Sequence, residues 1–426
     1  MPADPARLEH LLEVYKGLVE VSALINGITD SCELMPAILD VARRVMNSEA
    51  ASLFLVNASG DLELTNASGD GSETVNGAEQ KVTVPRGRGV SGWVLERREP
   101  VLIRDAYADP RFYREVDRRT GFTTRSMICV PLTRNETEIG VLQVLNPLDR
   151  TAFDEADLEA VTAYGNLAAT AIDKLRTIER QQAQERVAQE FSFAREIQAS
   201  FLPQTLPQLT HFDFAATYRP AQHVGGDFYD VLVMGPDEIY FVIGDVSGKG
   251  MPAALLMAQA VSILRLILVP GITPLAALTR WNQMLIGHTI RGMFITALIG
   301  RLACSTGCLE ICSAGHCNPL RVSADGGLSQ VRIAGTPPLG LLPEIPGRSE
   351  RFTLDRGEWL VLYTDGLVES FNEKDELLDR EGVERILARP FSRATEMIDT
   401  LIEGELAHRG AAPPHDDLTI LVLGYR

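Results

Sequence analysis

The chain has 426 residues, 45% of them hydrophobic, 23% charged and 6% aromatic, with a formal net charge of −17. That balance excludes a wholly disordered, collagen-like or coiled-coil rod chain and, at roughly 100–200 residues per domain, predicts two or three domains. An acidic chain repels nucleic-acid phosphates and anionic lipid, and its densest basic cluster, Arg111 to Arg125, is interleaved with acids, so neither nucleic acid nor a membrane is expected as a partner.

Leu8 to Gly27 carries apolar residues at helical spacing, and Pro36 to Val45 repeats the pattern after a polar break at Thr29 to Glu33. Ala51 to Val56 and Asp61 to Ala67 read as strands joined by the turn Asn57 to Gly60. Ser68 to Glu79 reads as a loop. Lys81 to Pro85 and Val101 to Arg104 are short strands around a Gly-rich turn and helix, Gly87 to Arg97. Ser126 to Leu132 and Ile139 to Leu145 form a hairpin, and Phe153 to Ile178 a long helix with Asp154 and Glu155 favourable in its first turn. No metal or nucleophile constellation stands out in this α+β stretch. Met1 to Glu20 lacks a basic start followed by an apolar core, and six Cys imply no disulfide framework, so a cytoplasmic location is expected.

Gly89-Val90-Ser91-Gly92-Trp93-Val94, Pro100 to Ile103 and Asp105 to Phe112 resemble the middle of a GAF domain. Arg125 to Leu132 and Ile139 to Leu142 resemble its closing strands. The resemblance covers roughly residues 15–175 and implies a sensory module that binds a small ligand and dimerises. The ligand is left unknown. Where cyclic-nucleotide GAF domains have Asn-Lys and Phe-x-x-x-Asp-Glu, this chain has Asn146-Pro147 and Phe153-x-x-x-Asp157-Leu158.

Helix continues from Asn166 to Leu202, with apolar residues at Leu167, Ala171, Leu175 and Ile178 and again at Val187, Phe191, Ala194, Ile197 and Phe201. This reads as a coiled-coil-like connector that Pro203 and Pro207 end. The expected domains are a GAF domain at 1–175, a helical connector at 176–204 and a third region at 205–426, with a homodimer formed through the first two.

The third region is rich in apolar strands that end in carboxylates. Val224-Gly225-Gly226-Asp227-Phe228-Tyr229-Asp230 follows the strand-like Phe212 to Tyr218. Ile239 to Ile243 runs into Gly244-Asp245-Val246-Ser247-Gly248-Lys249-Gly250. Trp359 to Tyr363 runs into Thr364-Asp365-Gly366, and His415-Asp416-Asp417 precedes Leu418 to Leu423. Strands of one sheet or sandwich bring their ends together, so Asp residues distant in sequence converge. Hard oxygen ligands suit Mg²⁺ or Mn²⁺, and two such ions activate a water and hold a phosphoryl oxygen. Met251 to Val269 is apolar, but Gln259, Ser262 and Arg265 interrupt it, which predicts a buried helix rather than a membrane span.

These four motifs occur in the order found in the metal-dependent PPM (PP2C-like) Ser/Thr phosphatases, and resemble most the bacterial SpoIIE/RsbU-type subgroup. Ala194 to Gln198, Tyr218 to Ala221, Ser313 to His316 and Pro338 to Gly340 also match. The resemblance implies an α+β fold overall, with two antiparallel sheets packed face to face and helices outside in the second half. It implies that Asp245 bridges two ions, Mn²⁺ or Mg²⁺. Asp227 and the Val246 carbonyl serve one of them. Asp365 and Asp416 serve the other, with Asp417 the alternative to Asp416. Lys249 stands where many relatives have His, and Arg219 is a candidate phosphate contact. The implied substrate is a phospho-Ser/Thr protein, a STAS-domain anti-sigma-factor antagonist.

Other chemistries fit less well. Gly244 to Gly250 is one residue short of a P-loop. Cys317 lacks the Arg six positions on that a Cys phosphatase needs. Cys304, Cys308, Cys312 and Cys317 read as strand thiols rather than a zinc cluster. A nucleotide cyclase leaves the later Asp motifs unexplained. A docking module with a phosphatase fold has no chemical reason to retain all of them.

Overall fold

The computed structural model describes residues 16, 17, 19, 30–69, 82–112, 114, 117, 118, 122–287 and 292–426. Most of the helix expected at Leu8 to Gly27 and most of the Ser68 to Glu79 loop lie outside them. The chain divides into two compact units, Met1–Glu185 and Arg186–Arg426.

The first unit is built on a six-stranded sheet. Its strands are β1 (Ser48–Val56), β2 (Leu62–Gly69), β3 (Thr83–Val84), β4 (Val101–Ile103), β5 (Met127–Arg134) and β6 (Thr137–Pro147), in the order β3-β2-β1-β6-β5-β4. Period-two alternation assigns each side chain a face. Ile128, Val130 and Leu132 pack with helix α1 (Ser31–Val45) and the start of helix α3 (Glu155–Phe201). Met127 and Cys129 pack on the other face with helix α2 (Gly89–Arg97). Helix α1 begins earlier than the expected Pro36. Asp30 is its N-cap and accepts from the Cys32 N–H at 2.8 Å, so the polar stretch that reads as a break is a capping sequence.

Helix α3 is a single element of 47 residues whose positions belong to both units, and every residue from Glu179 to Glu190 is exposed. Tertiary burial therefore holds its two ends, while helix propensity and polar spacing carry the middle.

The second unit has two five-stranded antiparallel sheets. One contains β8 (Phe228–Val233), β9 (Glu238–Val246), β10 (Ile295–Ala303), β11 (Cys308–Ala314) and β14 (Glu350–Thr353), in the order β14-β11-β10-β9-β8. The other contains β7 (Phe212–Arg219), β12 (Leu320–Val322), β13 (Leu328–Gln330), β15 (Trp359–Tyr363) and β16 (Leu418–Tyr425), in the order β13-β12-β15-β16-β7. Ile239, Phe241 and Ile243 of one meet Leu360, Leu362, Leu421 and Leu423 of the other. The alternate residues Tyr240 and Val242 are covered by helices α4 (Met251–Ile267) and α5 (Pro274–Leu285). On the far side Val361, Ile420 and Val422 are covered by α7 (Asp379–Leu387) and α8 (Ala394–Arg409), which follow a short α6 (Asp365–Val368). Both faces of each sheet are buried, which is why these strands read as continuous apolar runs.

Helix α4 has eight buried residues and exposed Leu255 and Leu266; it covers a sheet. Among the described residues no helix is long and apolar enough to cross a membrane. The Cys304 and Cys308 segment is the turn between β10 and β11, and Cys312 is a core thiol.

Candidate active site

Strand register brings the first two carboxylates together. Phe228 pairs with Gly244 at the end of the β8–β9 ladder, so Asp227 and Asp245 stand beside each other just past it. Asp227 is 1% exposed. Its Oδ2 accepts two hydroxyls at 2.7 Å, from Thr364 and Thr419. Both threonines belong to the opposite sheet's strand ends. Thr419 also donates its backbone N–H to Thr364 Oγ1 at 2.9 Å, so the pair forms one clasp. The second sheet thus fixes an aspartate delivered by the first.

Asp365 and Asp416 come from that second sheet. Asp365 follows β15 and opens α6, while Asp416 and Asp417 precede β16. Asp417 is spent on the backbone. Its Oδ1 accepts from Ala221 N–H at 2.8 Å and its Oδ2 from Gly226 N–H at 2.6 Å. It therefore braces the loop that carries Asp227. The approach is close enough that a Cβ on Gly225 would overlap the Asp417 carboxylate, and one on Gly366 would overlap the Asp417 carbonyl. Gln198, near the end of α3 and 5% exposed, ties the same loop: its amide donates to the Gly225 carbonyl at 2.5 Å and accepts the Gly225 N–H at 3.2 Å. The Lys249 ammonium is 3.2 Å from Asp416 Oδ2 and donates to the His415 carbonyl at 2.6 Å.

The cluster is electrostatically loaded. Burial, then the charge of Asp245, pushes Asp227 well above the usual carboxylate range, and the two threonine hydroxyls only partly offset this. Burial and the charges of Asp365 and Asp416 push Asp245 up to about 7. Asp365 is raised by burial, Glu369 and Asp416. Asp417 is raised by burial, against the pull of its two backbone N–H donors. Buried carboxylates that raise one another lack a cation. Among the described residues no group of three or more His, Cys, Asp or Glu side chains stands close enough, as placed, to hold a metal ion. The donor set nevertheless fits a hard divalent ion, since every donor is oxygen and the missing component is positive charge.

Neither neighbouring His nor Cys supplies an alternative chemistry. Burial lowers His316 to about 4, its Nδ1 lies 2.9 Å from Thr296 Oγ1, and its Nε2 is buried without a hydrogen bond. Burial, with the charges of Asp365, Glu369 and Asp245, pushes the Cys317 thiol up to about 12, so it stays protonated and is not a nucleophile. Ser313 has a bracing role, accepting the His316 N–H at 3.2 Å. Sequence reasoning assigned no role to Thr364, Thr419 or Gln198. Their signal lay in their motifs, since each threonine adjoins an Asp motif and Gln198 closes the Ala194 to Gln198 match.

Two packed antiparallel sheets flanked by helices, with Asp residues gathered at strand ends, define the fold of the PP2C-type phosphatases. The SiaA-PP2C domain of Pseudomonas aeruginosa shares it, with a TM-score of 0.52 at 19% identity, covering 57% of this chain and 98% of that one. The family models resolve the chain further. The model for stage II sporulation protein E (SpoIIE) matches residues 235–426, and the GAF model matches 31–172. The chain therefore carries a GAF domain at residues 31–172 followed by a SpoIIE-type PP2C phosphatase domain at residues 235–426. It is 28% identical over 279 residues to protein IcfG of Synechocystis sp., covering 59% of this chain and 44% of that relative. It is 28% identical over 288 residues to phosphoserine phosphatase RsbU of Bacillus subtilis, covering 66% of this chain and 83% of that one. The chain thus spans less than half of the first relative and most of the second.

Proposed function

We propose that the second unit hydrolyses phospho-Ser or phospho-Thr on a protein, using two divalent ions, Mn²⁺ or Mg²⁺. The carrying observation is that β8, β9, β15 and β16 deliver Asp227, Asp245, Asp365 and Asp416 to one end of the two sheets. Asp245 would lie between the ions. Asp227 and the Val246 carbonyl would hold one, and Asp365 and Asp416 the other. Asp417 is the alternative fourth ligand, although its oxygens already serve Ala221 and Gly226. Bound ions supply charge neutralisation at the phosphoryl oxygens and an activated water. The chain's own work is positional. The Thr364–Thr419 clasp fixes Asp227, and Asp417 with Gln198 fixes the loop before it. The Cys317 thiol, held protonated by burial and neighbouring charge, is a poor nucleophile, and the reaction proposed is a direct in-line hydrolysis by water.

By kinship with RsbU, a phosphoserine phosphatase, we assign as substrate a phosphorylated STAS-domain anti-sigma-factor antagonist. The GAF domain, whose ligand is unassigned, would regulate the site through helix α3, and homodimerisation would run through that domain and the helix. Support for the route is that Gln198 of α3 grips the loop of Asp227.

The deciding experiment is hydrolysis of p-nitrophenyl phosphate by the full chain with and without Mn²⁺ or Mg²⁺, comparing wild type with Asp245→Asn. Metal-dependent turnover that falls by about 10³-fold or more in the variant is expected. Turnover that persists without metal, or survives Asp245→Asn, would sink the two-metal reading. Removing residues 1–180 should change the rate on a phosphoprotein substrate; an unchanged rate would end the regulatory assignment.

A further inference from the structure

Among the described residues, Lys249 alone forms an ion pair with the carboxylate cluster. Its placement is built into the fold. Gly248 and Gly250 adopt φ of +95° and +73°, turning the chain between β9 and α4 so that Lys249 projects from the loop that directly follows Asp245 and Val246, the last residues of β9. The ammonium reaches across to the other sheet's Asp416 Oδ2 at 3.2 Å and is steadied by the His415 carbonyl at 2.6 Å.

We propose that Lys249 is a built-in counter-ion of Asp416 which an incoming divalent cation must displace, so that metal binding and release of Lys249 are one linked event. The inference rests on the metal reading of the Asp set given above. An ammonium and a divalent ion compete for the same carboxylate oxygen, and two cations in contact with it repel each other. The pair is half-exposed, with 42% and 32% of the two side chains accessible, so it is weak enough to be displaced. It relieves part of the cluster's charge in the metal-free protein and makes the position at Asp416 harder to fill.

Isothermal titration of the full chain with Mn²⁺ tests this without reference to turnover. Lys249→Gln is expected to bind about tenfold more tightly than wild type. Lys249→Arg, which keeps the charge, should not gain. Lys249→Met gives a second neutral variant, and circular dichroism checks that each is folded. A linked readout uses the wild type alone: acetylation of Lys249, followed by mass spectrometry, should rise severalfold on adding Mn²⁺, since linkage is reciprocal. Wild type that binds Mn²⁺ no less tightly than Lys249→Gln, or with no change in Lys249 labelling, overturns the proposal and leaves the metal site standing. Absence of Mn²⁺ binding in every form overturns the metal reading and this inference with it.

Discussion

Asp157 in the first unit and Asp227 in the second are equally buried, at 0% and 1% exposure, yet they are opposites electrostatically. Asp157 sits in the first turn of α3, where Arg150 Nη2 is 2.7 Å from its Oδ1 and the Asp154 N–H donates to its Oδ2 at 2.8 Å. Its charge is answered by a guanidinium and a helix terminus. Asp227 is answered by two neutral hydroxyls, and the charge that bears on it most is that of another carboxylate, Asp245. Burial of an acid is therefore no functional signal by itself. The signal is burial without a compensating cation, because folding alone does not favour it.

The largest effect that tests the contrast is on the compensated acid. Arg150→Leu leaves the Asp157 carboxylate buried without its cation and should cost about 2–3 kcal/mol, less than the roughly 3–5 kcal/mol of a fully buried pair, because Arg150 is 33% exposed. Hydrogen exchange in β5 and β6, which share a core with α3, should accelerate. Adding Asp157→Asn should recover part of the loss. Unchanged exchange in the single variant would mean that the ion pair is not what makes Asp157 tolerable.

Removing one charge should have the reverse sign in the other cluster. In chelator, Asp245→Asn removes a charge that burial and Asp365 disfavour, and should stabilise the second unit by about 1–2 kcal/mol at pH 8. The pH dependence follows from the direction of the shift. Asp245 titrates near 7 when folded and near 3.8 when unfolded, so its contribution to stability is fully present below about pH 4 and is lost as pH rises through 7. Metal-free wild type should therefore lose stability over that window relative to Asp245→Asn, and saturating Mn²⁺ should abolish the difference. Parallel urea midpoints of the two proteins across pH 4–8 would refute the loaded-cluster account.

Much of this was legible in the residues, and what was not has a common cause. Apolar runs such as Ile239 to Ile243 and Trp359 to Tyr363, each stopping at an Asp beside Gly, mark buried strands whose ends hold the acids. The hairpin at Ser126 to Leu145 showed as two apolar runs on either side of the polar stretch Thr133 to Glu138. Helix α1 was read as starting five residues late because Asp30 to Glu33, which cap and open it, are polar enough to resemble a break. Strands β12, β13 and β14 have only three or four residues and too few alternations to register. The Thr364–Asp227–Thr419 clasp spans 137 and 192 residues of sequence, so only the sheet topology brings it together. The same holds for Asp417. As a residue type it is as good a ligand as Asp416, and its commitment to Ala221 and Gly226 is purely spatial.

The smallest expected effect separates structural from functional hydrogen bonding, and two buried glutamines provide the pair. Gln143, 8% exposed on β6, donates to Ser91 Oγ at 2.7 Å and accepts from Ser52 Oγ at 3.2 Å. Gln198 makes the same number of bonds, but to both backbone groups of Gly225, two residues before Asp227. Either Gln→Ala change should cost about 1–2 kcal/mol in stability, two net hydrogen bonds' worth. Only Gln198→Ala should also weaken Mn²⁺ binding, because the loop before Asp227 loses one of its two braces, the other being Asp417, which holds Ala221 and Gly226. Titration of both variants with Mn²⁺ decides it. Equal affinities would confine Gln198 to holding the fold, whereas a loss in Gln198→Ala alone would make the last turns of α3 part of the metal site's support, and give any signal carried by that helix a physical point of entry.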